Sequence, residues 1–192
     1  MPHPAAGRPP AGRPPAVLVR PATPADADAV TRVAAATFPD ACPPTTTQAA
    51  IEEHIRTNLS RDVIAGWIDR DEFAVVVAED DAGRLLGYCM AELAPSPEPA
   101  VEAVVGPTAP VGCLSKLYVV AEARGAGAAD ALMAAGLDAM RGRGLTHAWL
   151  GTHTGNARAN AFYERIGFRV VGERTFLVGG NPETDVTRLL SL

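Results

Sequence analysis

A mixed α/β (α+β) fold is what this sequence predicts, and three observations carry it. Seven short apolar runs read as strands. Between several of them, apolar residues recur at helical spacing. One stretch, Leu114 to Gly136, passes from strand through a turn of small residues into a helix. There Leu114, Leu117, Val119 and Val120 make a strand-like run around Tyr118. After Arg124-Gly125-Ala126-Gly127-Ala128-Ala129, the residues Leu132, Met133, Leu137 and Met140 keep a helical stripe.

In chain order, residues 1–15 hold Pro2, Pro4, Pro9, Pro10, Pro14 and Pro15 and read as a disordered tail; residues 16–192 read as one domain. Val17 to Arg20 is a first strand. Thr23-Pro24-Ala25-Asp26 opens a helix with a capping residue, a proline at its first position and an acid at its positive end. Helices follow over about 47–58 and 60–68, the second capped by Ser60. His54 lies among Glu52, Glu53 and Arg56 and reads as a solvated helix residue. Phe73 to Ala78 and Leu85 to Leu93 form a hairpin about Asp80-Asp81-Ala82-Gly83. Residues 94–110 hold five prolines and read as a long loop. Strands are expected over about 112–120 and 145–150, then a helix over 156–166. A strand from Gly167 continues past an irregularity at Gly172 to about Val178. The Gly179-to-Pro182 turn leads to a closing strand, Asp185 to Leu190.

The turn before the helix at 128 suits a phosphate. A helix N-terminus leaves about four N–H groups without intrahelical partners and carries partial positive charge, and small residues let an anion approach. The spacing separates three phosphate-binding patterns. An ATP loop needs a lysine after its glycines, but the only lysine, Lys116, lies upstream. A dinucleotide fingerprint needs a small third residue, and here it is Asp130. The pattern Arg/Gln-x-x-Gly-x-Gly/Ala is met by Arg124, Gly127 and Ala129. Further on, Asn156-x-x-Ala159-x-x-x-Tyr163 precedes Gly167-Phe168.

Together these two motifs resemble the GNAT superfamily of acyl-CoA-dependent N-acetyltransferases, over about residues 112–171. The resemblance implies a mixed, mostly antiparallel central sheet of about seven strands flanked by helices, with a splay after strand four. It implies acetyl-CoA as cosubstrate and direct transfer to a primary amine of a polyamine-like small molecule or a peptide. Thr37-Phe38-x-Asp40, Lys116-Leu117-Tyr118-Val119, Trp149-Leu150-Gly151 and the Phe176…Gly179…Asp185 tail are similar to the bacterial spermidine/spermine N-acetyltransferase type.

Residue by residue, the resemblance implies that the backbone of Leu117, Tyr118 and Val119 pairs with the pantetheine and polarises the thioester carbonyl near Val119. Arg124, Gly125, Ala126, Gly127, Ala128 and Ala129 would hold the pyrophosphate. Asn156 and Ala159 would meet the pantetheine arm, and Tyr163 would protonate the leaving thiolate. From the residues alone, Tyr163 is equally a core residue of its helix, and Asn156 a helix cap. A primary amine is only about 0.04% neutral at pH 7, so a base is useful. Relatives often carry glutamate where this chain has Cys113, an acid at Ser115, and Trp-Glu at His153-Thr154. Asp40, Glu92 and His153 remain as candidate bases, with Phe38 beside the acceptor. The lost acid motivates an alternative reading, an acyl-CoA sensor without turnover. Cys113 itself reads as a buried strand residue.

Net charge of −5 argues against a nucleic-acid surface, and no stretch reaches the length of a membrane span. Cys42, Cys89 and Cys113 are odd in number and widely spaced. They suggest neither a disulfide framework nor a metal site, and a cytoplasmic location is expected. His147 and His153 alone are too few for a metal. The closing strand is expected to offer an edge for a homodimer.

Overall fold

The structure, a computed structural model, describes residues 17–43, 45–96, 98–178 and 181–192. The tail expected over 1–15 and the Gly179-Gly180 part of the expected turn lie outside the described residues.

Seven strands are β1 (Leu18–Pro21), β2 (Phe73–Glu79), β3 (Leu85–Glu92), β4 (Val111–Val119), β5 (His147–His153), β6 (Arg169–Val178) and β7 (Asn181–Ser191). Helices are α1 (Ala27–Thr37), α2 (Gln48–Asn58), α3 (Arg61–Asp69), α4 (Pro99–Val105), α5 (Ala128–Gly142) and α6 (Ala157–Ile166). The strands form one sheet in the order β1-β2-β3-β4-β5-β7-β6. Only the β4–β5 pair is parallel; the others are antiparallel.

The Thr23–Asp26 signal opens a helix through local polar bonds. The Asp26 carboxylate accepts from the Thr23 N–H (2.7 Å) and hydroxyl (2.9 Å). The Arg20 guanidinium donates to it and to Glu79, tying β1, β2 and the start of α1 together. That guanidinium holds the Asp26 carboxyl well below the usual carboxylate range. A 3₁₀ turn over Pro24–Asp26 precedes the α-helix proper.

Alternation along the strands sends side chains to two faces. Leu114, Ala148, Leu150 and Phe168 pack with Leu132, Met133, Leu137 and Met140 of α5. Val75, Val77, Tyr88 and Met90 face Val30, Val33, Ile64 and Trp67 of α1 and α3. Gly136 lets α5 lie close to the sheet: a Cβ there would lie 2.9 Å from Cys89 Sγ and 3.3 Å from Leu114 Cδ1.

Three expectations are corrected. The proline-rich stretch 94–110 contains α4, because Pro99 sits at a first helical position, where its missing N–H costs nothing. Val101 of α4 is then buried against Cys113, Trp149 and Leu189. β5 starts at His147 and runs on to His153, since its pairing with β7 carries Gly151, Thr152 and His153 into the sheet. β7 is longer than expected and is no edge: it lies between β5 and β6, leaving β1 and β6 outermost.

Gly136→Leu is predicted to destabilise the fold by about 1–3 kcal/mol through overpacking, a shift that urea denaturation followed by far-UV circular dichroism reads directly.

Candidate active site

The site begins where two strands part. β4 pairs with β5 through Val111–His147, Gly112–Ala148 and Cys113–Trp149, and no further. A bulge at Ser115 shifts the β3–β4 register between Ala91–Leu114 and Met90–Lys116. Beyond it, Val120 N–H donates to Leu86 C=O (2.9 Å). Antiparallel strands bond through alternate residues, so Tyr118 and Lys116 also face β3. Leu117 and Val119 therefore turn their N–H and C=O groups toward the opening side. The gap between the parted strands is a cleft of about 860 Å³ that reaches α5, α6 and the α1–α2 connection.

At one end of the cleft, Gly125 (φ 81°) and Gly127 (φ 86°) adopt the left-handed conformation. A Cβ at either would meet open space, so the demand is on the backbone and not on volume. Gly127 caps the fifteen-residue α5. Arg124, Gly125, Gly127, Ala129 and Asp130 line the cleft. Ala126 and Ala128 do not: the Ala126 N–H bonds Ala123 C=O (3.3 Å), and Ala128 is buried in the core. Asp130 pairs with Arg165 of α6 at 2.8 Å. Arg124 is not a solvated turn residue. Its Nε donates to Val119 C=O (3.3 Å), and its Nη2 pairs with the Asp40 carboxylate.

Both readings of the α6 residues meet in the structure. Asn156 caps the helix, its Oδ1 accepting the Ala159 N–H (3.1 Å), and both residues line the cleft. Tyr163 packs edge-on against Phe162 and Phe168 at 5.4 and 6.0 Å and also borders the cleft. Burial pushes its phenol above the usual tyrosine range, so it keeps its proton at neutral pH.

At the other end, the expected acceptor residues divide. Phe38, Asp40 and His153 line the cleft; Glu92, at the end of β3, does not. His153 has both ring nitrogens engaged: Nε2 with Glu183 (2.8 Å), and Nδ1 accepting the Gly155 N–H (3.1 Å). Glu183 also accepts from the Thr45 hydroxyl (2.8 Å), and these two partners hold its carboxyl below the usual range. Thr46 and Thr152 place buried hydroxyls on the cleft with no partner among the described residues. Cys113 is a core residue under α4, where burial pushes its thiol up to about 12.

His54 was missed. It is not solvated on an outer face; its ring stacks on Phe38 at 4.3 Å and 7° and lines the cleft. Burial, and then the charge of Lys116, push its imidazole below the ordinary range. The available signal was its spacing: His54 follows Ala50 and buried Ile51 by one helical turn.

Residues 32–168 match the model of the acetyltransferase (GNAT) family. The chain belongs to that family. An uncharacterized N-acetyltransferase of Mycobacterium tuberculosis is 36% identical over 167 residues, which is 87% of this chain and 98% of that one. Among solved structures, the PaiA N-acetyltransferase of Thermoplasma acidophilum in complex with coenzyme A superposes with a TM-score of 0.74 at 18% identity. It spans 92% of this chain and 99% of its own. The acetyltransferase yncA of Salmonella typhimurium with acetyl-CoA gives 0.69 at 19%, over 92% and 94%. By family, the GNAT chain is an acetyltransferase. Among the described residues, no helix is long and apolar enough to cross a membrane. Nor do three or more His, Cys, Asp or Glu side chains gather there to hold a metal.

Gly127→Ala is predicted to cost this GNAT domain about 1–2 kcal/mol, because alanine resists the left-handed conformation; thermal unfolding at fixed pH measures the loss.

Proposed function

We propose that the chain transfers an acetyl group directly from acetyl-CoA to a primary amine on a small molecule or peptide. One arrangement carries this reading: the open β4 edge, the N-terminus of α5 and Tyr163 border a single cleft. The cosubstrate supplies an activated acetyl thioester. Leu117 and Val119 present backbone donors and acceptors that suit pantetheine amides, with Tyr118 between them. Arg124, Gly125, Gly127 and Ala129 suit the pyrophosphate, with Ala126 and Ala128 shaping the turn. Asn156 and Ala159 flank the pantetheine arm. Tyr163 holds a proton for the departing sulfur.

For the acceptor's proton, His54 is the residue best placed. Asp40, Asp130 and Asp185 line the cleft, and each is paired with an arginine. His153 has no free ring nitrogen. His54 is held neutral, as a base must be, and its ring is fixed on Phe38. The same pairing argues against the spermidine/spermine type within the family, because a polycation needs several unpaired carboxylates. A monoamine or a peptide amino group suits the cleft better, with the Thr46 and Thr152 hydroxyls to hydrogen-bond its body. Three free cysteines fit a reducing cytoplasm.

The deciding experiment is thiol release from acetyl-CoA with and without polyamines, amino acids, aminoglycosides and lysine peptides. Release that depends on an acceptor and falls at least about tenfold in Tyr163→Phe supports the reading. Binding of acetyl-CoA with no release, and a Tyr163→Phe protein indistinguishable from the parent, would favour the acyl-CoA sensor instead.

A second outcome follows from His54. Burial and the nearby Lys116 charge set its pKa below the ordinary imidazole range, so kcat/KM gains a rise as pH climbs through that lowered value. His54→Phe keeps an aromatic stack but loses the proton acceptor. The expected result is loss of that acidic limb and a rate lower by about 10²-fold; an unchanged pH profile refutes the assignment.

A further inference from the structure

Arg124 lies across the cleft that the cofactor is to fill. Its Nε donates to the Val119 carbonyl, one of the β4 groups turned toward the opening. Its Nη2 pairs with Asp40, eighty-four residues away, in the 3₁₀ turn Phe38–Ala41 that leads into the α1–α2 connection. The guanidinium also stands at the head of the glycine turn. Two of its contacts therefore use groups that a bound CoA needs: the strand edge at Val119 and the cation beside the pyrophosphate.

We infer that the Arg124–Asp40 pair is an autoinhibitory contact that the CoA pyrophosphate displaces, so that loading the cofactor releases the Phe38–Ala41 turn at the acceptor end. This rests on the reading of the cleft as a CoA site. The exchange is electrostatically downhill. Arg124 and Asp40 are 30% and 49% exposed, so their attraction is screened by water. A pyrophosphate offers more charge and a geometry suited to the guanidinium fork. Releasing Asp40 places one unpaired carboxylate beside Phe38 and His54, where a single ammonium can settle. Cofactor loading thus prepares the acceptor site, and positioning, not proton transfer, is the role of Asp40.

The test is isothermal titration of the full chain with CoA in four proteins: parent, Asp40→Asn, Arg124→Gln and the double variant. Asp40→Asn removes the competitor and is expected to tighten CoA about two- to fivefold. In the Arg124→Gln background the same change has no effect. Hydrogen exchange at 38–42 quickens on adding CoA to the parent, but in Asp40→Asn it is already fast and does not change.

Equal CoA affinity of parent and Asp40→Asn overturns the inference. So does an equal gain in the Arg124→Gln background, because a general effect of removing negative charge would act in both. A parent that binds no CoA at all refutes the reading of the cleft itself, and this inference with it.

Discussion

Everything functional in this fold depends on one limited pairing. β4 and β5 share three parallel register pairs and then separate. Two features hold them apart. The bulge at Ser115 adds twist to β4. β5 is meanwhile committed to β7 over its whole length, from His147–Ser191 to His153–Asp185. The backbone polar groups of Leu117 and Val119 then have no strand partner, and such groups are costly unless water, a side chain or a ligand meets them. Arg124 meets one of them. An extended amide-bearing ligand is the natural partner for the rest, by the logic of strand addition.

The glycine turn is placed by packing that has no part in the chemistry. α5 sets Leu132, Met133, Leu137 and Met140 into the core against Leu114, Leu150 and Phe168. Gly136 lets the helix lie close to Cys89. A helix fixed along its length aims its first N–H groups in a fixed direction, so they need no reordering when an anion arrives. Tyr163 is held similarly, between Phe162 and Phe168. The same burial that fixes its ring raises its pKa, so the phenol is protonated across the physiological range.

Local signals were legible and long-range ones were not. The glycine turn, the Asn156 cap and all seven strands follow from contiguous residues, with bounds off by a few positions. Helix α4 was hidden because prolines were counted without asking whether Pro99 falls where proline is tolerated. The place of β7 inside the sheet depends on pairing with β5, from His147–Ser191 to His153–Asp185, and periodicity carries no such information. His54 was misjudged from its charged neighbours Glu52, Glu53 and Arg56, although helical spacing sets those residues on other faces. Arg124 meets Asp40 only through the fold, as Thr45 meets Glu183 across 138 residues.

The cleft shows how a modestly acidic chain builds a pocket with little net charge. Asp40, Asp130 and Asp185 line it, and arginines from the glycine turn, α6 and β6 neutralise them one for one. Half-buried Lys116 holds its ammonium on Ser115 Oγ and near the Trp67 ring, and desolvation lowers its pKa. Loss of water disfavours the protonated forms of His54 and Lys116 alike. Charge recognition of a polycation and desolvation of a single amine call for opposite environments. On the proposed reading of a single-amine acceptor, the arginine-paired carboxylates and the stacked imidazole of this cleft supply the second.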